Sequence, residues 1–261
     1  MSPPPPRRRR PAGGLGGEQV EGRRAVRELL AAGRRRVREV WISEAAASSA
    51  PLMEIADLGR DQGVPVRTVA RARLDAAART EAPQGVLAHA EPLAEADLDV
   101  LCRRVPGAPA PFLLAFDGIT DPHNLGALIR TAACAGATGA VLSRHRSAYV
   151  TPTVAKVAAG AIEHVPLALV AGLPAALARM RNSGVWVVGL HPEAATSVFH
   201  LTLATEPVAL VLGAEGSGLS RLAQERCDVV VSIPRGGGPG SLNVSAAGAV
   251  ACYEVVRRRR E

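Results

Sequence analysis

A chain of 261 residues is long enough for one large domain or two small ones, each with its own core. Apolar residues make up 48% and aromatics 3%, and no apolar run approaches the roughly 18 residues that a membrane span needs, so a soluble, cytoplasmic protein without membrane contact is expected. The formal charge of +7 sits at the ends: Arg7–Arg10 and Arg257–Arg260 with Glu261 account for it, and residues 11–256 balance. Arginine runs of this kind are either nucleic-acid arms, releasing counterions as they neutralise phosphates, or solvated tails.

From the N-terminus, residues 1–17 are rich in proline, arginine and glycine and read as a disordered basic tail. Residues 18–92 read as a small α/β domain. Val26, Leu29 and Leu30 have helical spacing, and Gly33 can stop that helix. Val37–Ser43 alternates like a half-buried strand. A helix over 51–62, a strand over 64–69, a short helix over 71–79 and a strand over 85–90 follow. Arg23, Arg24, Arg27, Arg34, Arg35, Arg36 and Arg38, against four glutamates in residues 18–43, are a candidate RNA-facing patch. Residues 93–110 form a short helix and a Pro/Gly linker, with the domain boundary at Pro106-Gly107-Ala108-Pro109.

The second domain spans 111–261. Phe112–Phe116 reads as a buried parallel strand. Further strands are expected at 140–142, 165–170, 185–190, 208–212 and 229–233, most of them separated by helices. That alternation predicts an α/β fold with a parallel sheet covered on both faces. Ligands of such sheets bind beyond the carboxyl ends of the strands, which singles out the loops after Phe116, Leu212 and Ile233. Cys102, Cys134, Cys227 and Cys252 lack metal spacing and read as reduced thiols, and no metal site is expected.

The first loop opens DGITDPHNLGALIR. Asp121-Pro122 signals a turn, Asn124 stands where a helix N-cap belongs, and Gly126 permits close backbone approach. Arg130 follows Asn124 by six residues, about 600° of helix rotation, so the two share a face only if Asn124 is the cap. A capping Asn with an unrelated surface Arg is the competing reading. The second loop, LGAEGSGLS, has glycines at Walker A spacing, yet Leu219 occupies the lysine position, which argues against nucleoside triphosphate binding. What remains is a glycine-rich turn holding one acid, Glu215. In the third, IPRGGGPGSLN, Gly236–Gly240 free the backbone, Ser241 is a good N-cap and Asn243 lies in the first turn. Main-chain groups there suit a purine edge. No G-x-G-x-x-G follows the first strand of either domain, which argues against a Rossmann dinucleotide site.

Together and in this order, DPHNLGALIRTA, LVLGAEGSGLSRL and SIPRGGGPGSLNVSAAGAVACYE resemble the three motifs of the SpoU/TrmH family of RNA 2′-O-methyltransferases, in the SPOUT class. FLLAFDGITDPHNLGALIRTA and VAKVAAGAIEHVPLALV are similar to the ribosomal RNA guanosine 2′-O-methyltransferases of the RlmB type. Residues 18–92 resemble more loosely that group's small RNA-binding domain of the ribosomal-protein L30e-like kind. The resemblance implies a deep trefoil knot in the C-terminal domain, a homodimer packed through it, S-adenosylmethionine as cofactor and RNA as substrate, with 23S ribosomal RNA guanosine the leading target. It places Gly213, Ile233, Leu242, Leu190 and Ser241 at the cofactor, and Arg130, Asn124, Glu215, Ser241 and Asn243 in the catalytic set. The same reaction on tRNA or at a resistance-related ribosomal site, or a non-catalytic RNA-binding or assembly role on the same fold, are the alternatives. The chain departs from the family at Arg235, where IPM is usual, at Gly240, where Ser or Glu is common, and at Pro83, where close relatives often have His before Gln-Gly.

Overall fold

A computed structural model describes residues 14–144, 148–237 and 241–261. The chain begins with a four-stranded sheet in the order β1-β4-β2-β3, formed by β1 (Gln19–Glu21), β2 (Val37–Ser43), β3 (Val66–Val69) and β4 (Val86–Ala90). β2 pairs parallel with β3 and antiparallel with β4, which also pairs antiparallel with β1. Three helices flank it: α1 (Arg23–Ala32), α2 (Ala50–Asp61) and α3 (Arg71–Ala77). Gly33 ends α1 in the left-handed conformation, φ 58°, donating its N–H to Leu30 O, as the sequence predicts. The expected strands and helices of this domain are all present, and β1 is an addition. At three residues it is too short for an alternation signal.

After α4 (Leu98–Cys102) comes a seven-stranded sheet, ordered β7-β6-β5-β10-β8-β11-β9 and parallel throughout. Its strands are β5 (Phe112–Asp117), β6 (Gly139–Ser143), β7 (Leu167–Val170), β8 (Trp186–Leu190), β9 (Thr196–Ser197), β10 (Val208–Gly213) and β11 (Val229–Ser232). The helices are α5 (Pro122–Cys134), α6 (Pro152–Val157), α7 (Leu173–Asn182), α8 (Arg221–Gln224) and α9 (Val244–Arg260). Leu113, Leu114, Ala115 and Phe116 of β5, and all of β10, are buried, as two-sided cover requires. From β5 the chain runs outward through β6 and β7, then returns to the other side of β5 for β8 to β11. The β5–β10 junction is therefore the switch point of the sheet.

The two domains are docked, not merely tethered. Arg35 donates to both carboxylate oxygens of Glu163, at 3.0 and 2.7 Å, with both side chains buried. Arg35 also donates to Gly17 O and Glu91 O. Gly160, φ 83°, lies so close to α1 that a Cβ there would come within 2.4 Å of Glu28 Cβ. Val26, Leu29 and Leu30 of α1 share one apolar cluster with Val154, Ile162 and Val165. The stretch taken as a linker is held too, because Ala96 N–H donates to Leu167 O.

Three expectations need correction. Residues 14–17 belong to the folded body: Leu15 is buried and its carbonyl accepts from Val150 N–H, while residues 1–13 lie outside the described ones. The C-terminal arginines are neither an arm nor a solvated tail. They form the last turn of α9, where Arg259 donates to Ala204, Ala110, Pro111 and Glu206 carbonyls and stacks on Phe112. Burial pushes Arg259 below the usual arginine value. Arg257 and Arg258 bracket the buried Glu254, and the hydrogen bond from Arg257 holds that carboxyl below its ordinary range. Finally, the arginines of residues 18–43 form no single patch. Arg35 is buried in its ion pair, Arg27 pairs with Glu28 and Glu54, and Arg23 and Arg24 face a cleft described below.

Candidate active site

The loops after β8, β10 and β11 meet at the carboxyl edge of the large sheet around a pocket of about 500 Å³, and the loop after β5 is tied to them by hydrogen bonds. Its walls include Leu190, Leu212, Gly213, Ile233, Leu242 and Ala247, and Glu215, Ser241 and Asn243 supply polar groups. All five expected cofactor-contacting residues line it: Leu190, Gly213, Ile233, Ser241 and Leu242. Apolar walls with a few convergent polar groups are the usual make-up of a small-molecule site.

The β10 loop is built to be tight. Ala214 and Gly218 exchange hydrogen bonds of 3.0 and 2.9 Å across a short turn. A Cβ on Gly213 would lie 2.1 Å from the Gly218 carbonyl carbon, so only glycine fits. Ser220 N–H donates to Asp117 Oδ2 at 2.6 Å, which ties this loop to the end of β5. Leu219 is buried in the core, where no Walker lysine could reach a phosphate.

Asn243 is the junction of the three loops. It caps α9, its Oδ1 accepting from Ser245 N–H at 2.9 Å. Its Nδ2 donates to Asn124 Oδ1 at 3.1 Å and to Glu215 Oε1 at 2.5 Å. Both amide protons and the acceptor are thereby committed. This corrects two expectations: Asn243, not Ser241, is the N-cap of α9, and Asn124 is not a cap. Asp121 caps α5 by accepting from His123 and Asn124 N–H, at 3.2 Å each, which places buried Asn124 inside the first turn. A cap with an acceptor for two backbone N–H groups and proline at the first helical position is the stronger start signal. The Ser241 hydroxyl is left exposed on the rim without a hydrogen-bond partner among the described residues.

Arg130 is not in this pocket. With Asn124 inside the helix, six residues of pitch turn Arg130 to another side of α5, and it lines a second, larger cleft between the domains. Gly126 does bring backbones together as expected: a Cβ there would be 2.9 Å from Val154 O. Residues missed from the sequence are His191 and Pro192, which follow β8. The rule that ligands sit beyond strand ends applied to that loop as well, but no unusual residue marked it. Arg235 pairs with Glu193 of the same β8 loop at 3.0 Å, closing one side of the pocket, and Gly240 lies outside the described residues. The cysteines are no nucleophiles for this pocket. Burial pushes Cys227 and Cys252 up to about 12 and Cys102 up to about 11.

The sequence pattern of the SpoU rRNA methylase family matches residues 111–253. The chain belongs to the SpoU rRNA methylase family. A second pattern, RNA 2′-O ribose methyltransferase substrate binding, matches residues 19–96, which is the small domain. The chain is 40% identical to the 23S rRNA (guanosine-2′-O-)-methyltransferase RlmB of Pseudomonas putida over 93% of its length and 97% of that protein. It is 37% identical to the putative TrmH family tRNA/rRNA methyltransferase YacO of Bacillus subtilis, over 93% and 96%. Among solved structures, the SpoU methyltransferase AviRb of Streptomyces viridochromogenes in complex with the cofactor AdoMet matches at a TM-score of 0.77. It is 26% identical, with 93% of this chain and 90% of that one covered. Within the SpoU family, then, the pocket lies between the second and third signature motifs, the first joins it through the Asn124–Asn243 hydrogen bond, and the small domain is the part matched to substrate binding.

Proposed function

We propose that this protein transfers a methyl group from S-adenosylmethionine to the ribose 2′-OH of a guanosine in 23S ribosomal RNA, acting as a cytoplasmic homodimer. The observation that carries this reading is the Asn243 junction, which draws Asn124, Glu215 and α9 together beside the pocket. The residues present fit the cofactor. Gly213 allows the tight β10 turn that bounds the pocket, Leu190, Ile233 and Leu242 offer apolar walls, and strand-end main chain is at hand for a purine edge. When bound there, S-adenosylmethionine supplies an electrophilic methyl on a sulfonium that is already a good leaving group.

The chain's own residues have separate tasks. A ribose hydroxyl is a very weak acid, so its attack needs electrostatic help as the alkoxide develops. Asn243 spends both amide protons on Asn124 and Glu215, which makes it a positioning residue that aims Glu215 at the rim. The unpartnered Ser241 hydroxyl is the group left to meet the ribose. Arg130 clamps the RNA phosphate and stabilises the alkoxide. A guanidinium gives up its proton too reluctantly to serve as the base. Because Arg130 and the pocket lie apart in one chain, a second copy supplies Arg130 to each site. The knotted arrangement of the family is part of this reading, supported by the return of α9 across the sheet onto α5 and β10. A Cβ on Gly248 would lie 2.4 Å from Leu128 Cδ2 and 3.1 Å from Leu212 Cδ1. The small domain is read as L30e-like from its mixed four-stranded sheet with helices.

Transfer of labelled methyl from the cofactor to ribosomal RNA is the test. Wild type should label one guanosine ribose in 23S RNA, and Arg130→Ala should lose turnover by at least about a hundredfold while calorimetry finds cofactor binding unchanged. Tight RNA binding without transfer would overturn the enzyme reading, and label in tRNA alone would overturn the target.

A further inference from the structure

The cleft between the domains has a volume of about 1140 Å³ and is lined from both sides. The small domain contributes Arg23, Arg24, Arg79, Thr80, Glu81 and Gln84, and the large one His123, Arg130, Thr153 and Lys156. Five permanent cations thus face one carboxylate. Elsewhere the protein pairs many of its arginines with acids, as at Arg27, Arg35, Arg60, Arg181 and Arg257. In the cleft no cation forms an ion pair among the described residues. Arg23 donates to Gln84 O at 3.2 Å and Lys156, the chain's one lysine, donates to Ala82 O. Arg24, Arg79 and Arg130 have no side-chain partner at all among the described residues.

Stability does not explain this arrangement. Uncompensated like charges repel, and Arg23 and Arg24 occupy the first turn of α1, where the helix dipole disfavours cations and no acid offsets them. The cleft also concentrates backbone strain. Gln84 at φ 60° and Ala159 at φ 51° are the two non-glycine residues with positive φ among the described residues, and both line it. The loop carrying Arg79 is fixed by a fully buried carboxylate, Glu21, which accepts from Arg79 N–H at 2.7 Å, Thr80 N–H at 3.0 Å and the Thr80 hydroxyl. The Arg35–Glu163 pair fixes the opposite wall relative to α1. A rigid, strained trough with five unneutralised cations is built for a polyanion that spans both domains.

We infer that this cleft is the track for the phosphate backbone of single-stranded RNA, with Arg23, Arg24, Arg79 and Lys156 as phosphate contacts that lead the strand to Arg130. The inference deepens the RNA-methyltransferase reading and rests on it for the identity of the polymer. Arg24 and Arg79 are positioning residues: they set where the strand lies and do not touch the reacting atoms. Because their side chains bond to nothing among the described residues, removing them should leave the fold intact.

The test uses the full chain and a short labelled single-stranded RNA, with affinity measured by fluorescence anisotropy across a salt series. Arg24→Ala with Arg79→Ala should weaken binding about tenfold or more and flatten the log affinity against log salt slope by about 1.4, two contacts at roughly 0.7 each. With RNA substrate, KM should rise while kcat at saturation and calorimetric cofactor binding stay as in wild type. Arg24→Lys with Arg79→Lys should restore the slope, because charge is what is counted. Arg60→Ala with Arg71→Ala, exposed but outside the cleft, should change nothing. An unchanged slope in the Arg24/Arg79 alanine variant, or an equal loss in the Arg60/Arg71 control, overturns the inference. So does displacement of the RNA by inorganic phosphate at matched ionic strength, which would mark a simple anion site. If wild type binds RNA through the cleft yet transfers no methyl, the catalytic reading fails alone. If transfer proceeds and the cleft variant matches wild type, this inference fails alone.

Discussion

Two concavities of this protein are built on opposite principles. The pocket at the sheet edge is walled by Leu190, Leu212, Ile233 and Leu242, and Asn243 ties Glu215 on its rim to Asn124 beside it. The cleft between the domains is larger, and among the described residues its cations have no acidic partner. The first encloses a ligand by shape, where a few tenths of an ångström decide. The second gathers charge, where position can vary and count matters. A small, largely apolar site beside a charged trough is the division that the proposed methyl transfer to a polymer calls for, with the donor in one and the strand in the other.

Substitutions can break each half alone. Glu163→Gln should have the largest effect, because it strands the buried Arg35 cation and loosens the docking of the domains. Thermal or denaturant unfolding should register a loss of about 3–5 kcal/mol, and RNA affinity should fall more than cofactor affinity. Gly213→Ala should act only on the pocket. Its Cβ would overlap the Gly218 backbone, and the strain of about 1–3 kcal/mol should appear in calorimetry as a ten- to hundredfold weaker cofactor, with RNA binding kept. Equal loss of both ligands would erase the distinction between the two sites. Asn243→Ala removes the α9 cap and leaves Asn124 and Glu215 without their donor. It should cost about 1–2 kcal/mol in melting experiments and should lower kcat more than it raises the RNA KM.

The smallest expected effect is on acid stability, away from both sites. Glu254 has a lowered folded-state pKa, so its contribution is present above the ordinary carboxylate value of about 4.3 and fades as pH falls through the lower folded value. Melting temperature should therefore decline below about pH 4, and Glu254→Gln should flatten that decline while leaving the neutral-pH behaviour of pocket and cleft alike. A steeper acid decline in the variant would contradict the role given to Arg257 and Arg258.

The sequence by itself determined the elements and the chemistry of the pocket. Continuous apolar runs such as Phe112–Phe116 and Val208–Leu212 read as buried parallel strands, and residues beyond the carboxyl end of Val208–Leu212 line the pocket. Local rules also fixed Gly33 as a helix stop and Leu219 as the residue that rules out a nucleotide loop. Tertiary structure decided the rest, because it depends on contacts between distant positions. Asn124 and Asn243 are 119 residues apart, and Arg35 and Glu163 are 128 apart, so no local pattern announces either pair. The cap residues were misread for a related reason: Asp121 outcompetes Asn124, and Asn243 outcompetes Ser241, by where the neighbouring backbone N–H groups point. The terminal arginines show the limit most plainly. Composition alone made Arg257–Arg260 a loose basic tail, whereas four carbonyls, an aromatic ring and a buried glutamate make them the clasp of the last helix. Charge is legible in a sequence, but whether a charge is free or already answered is settled only when the chain has folded around it.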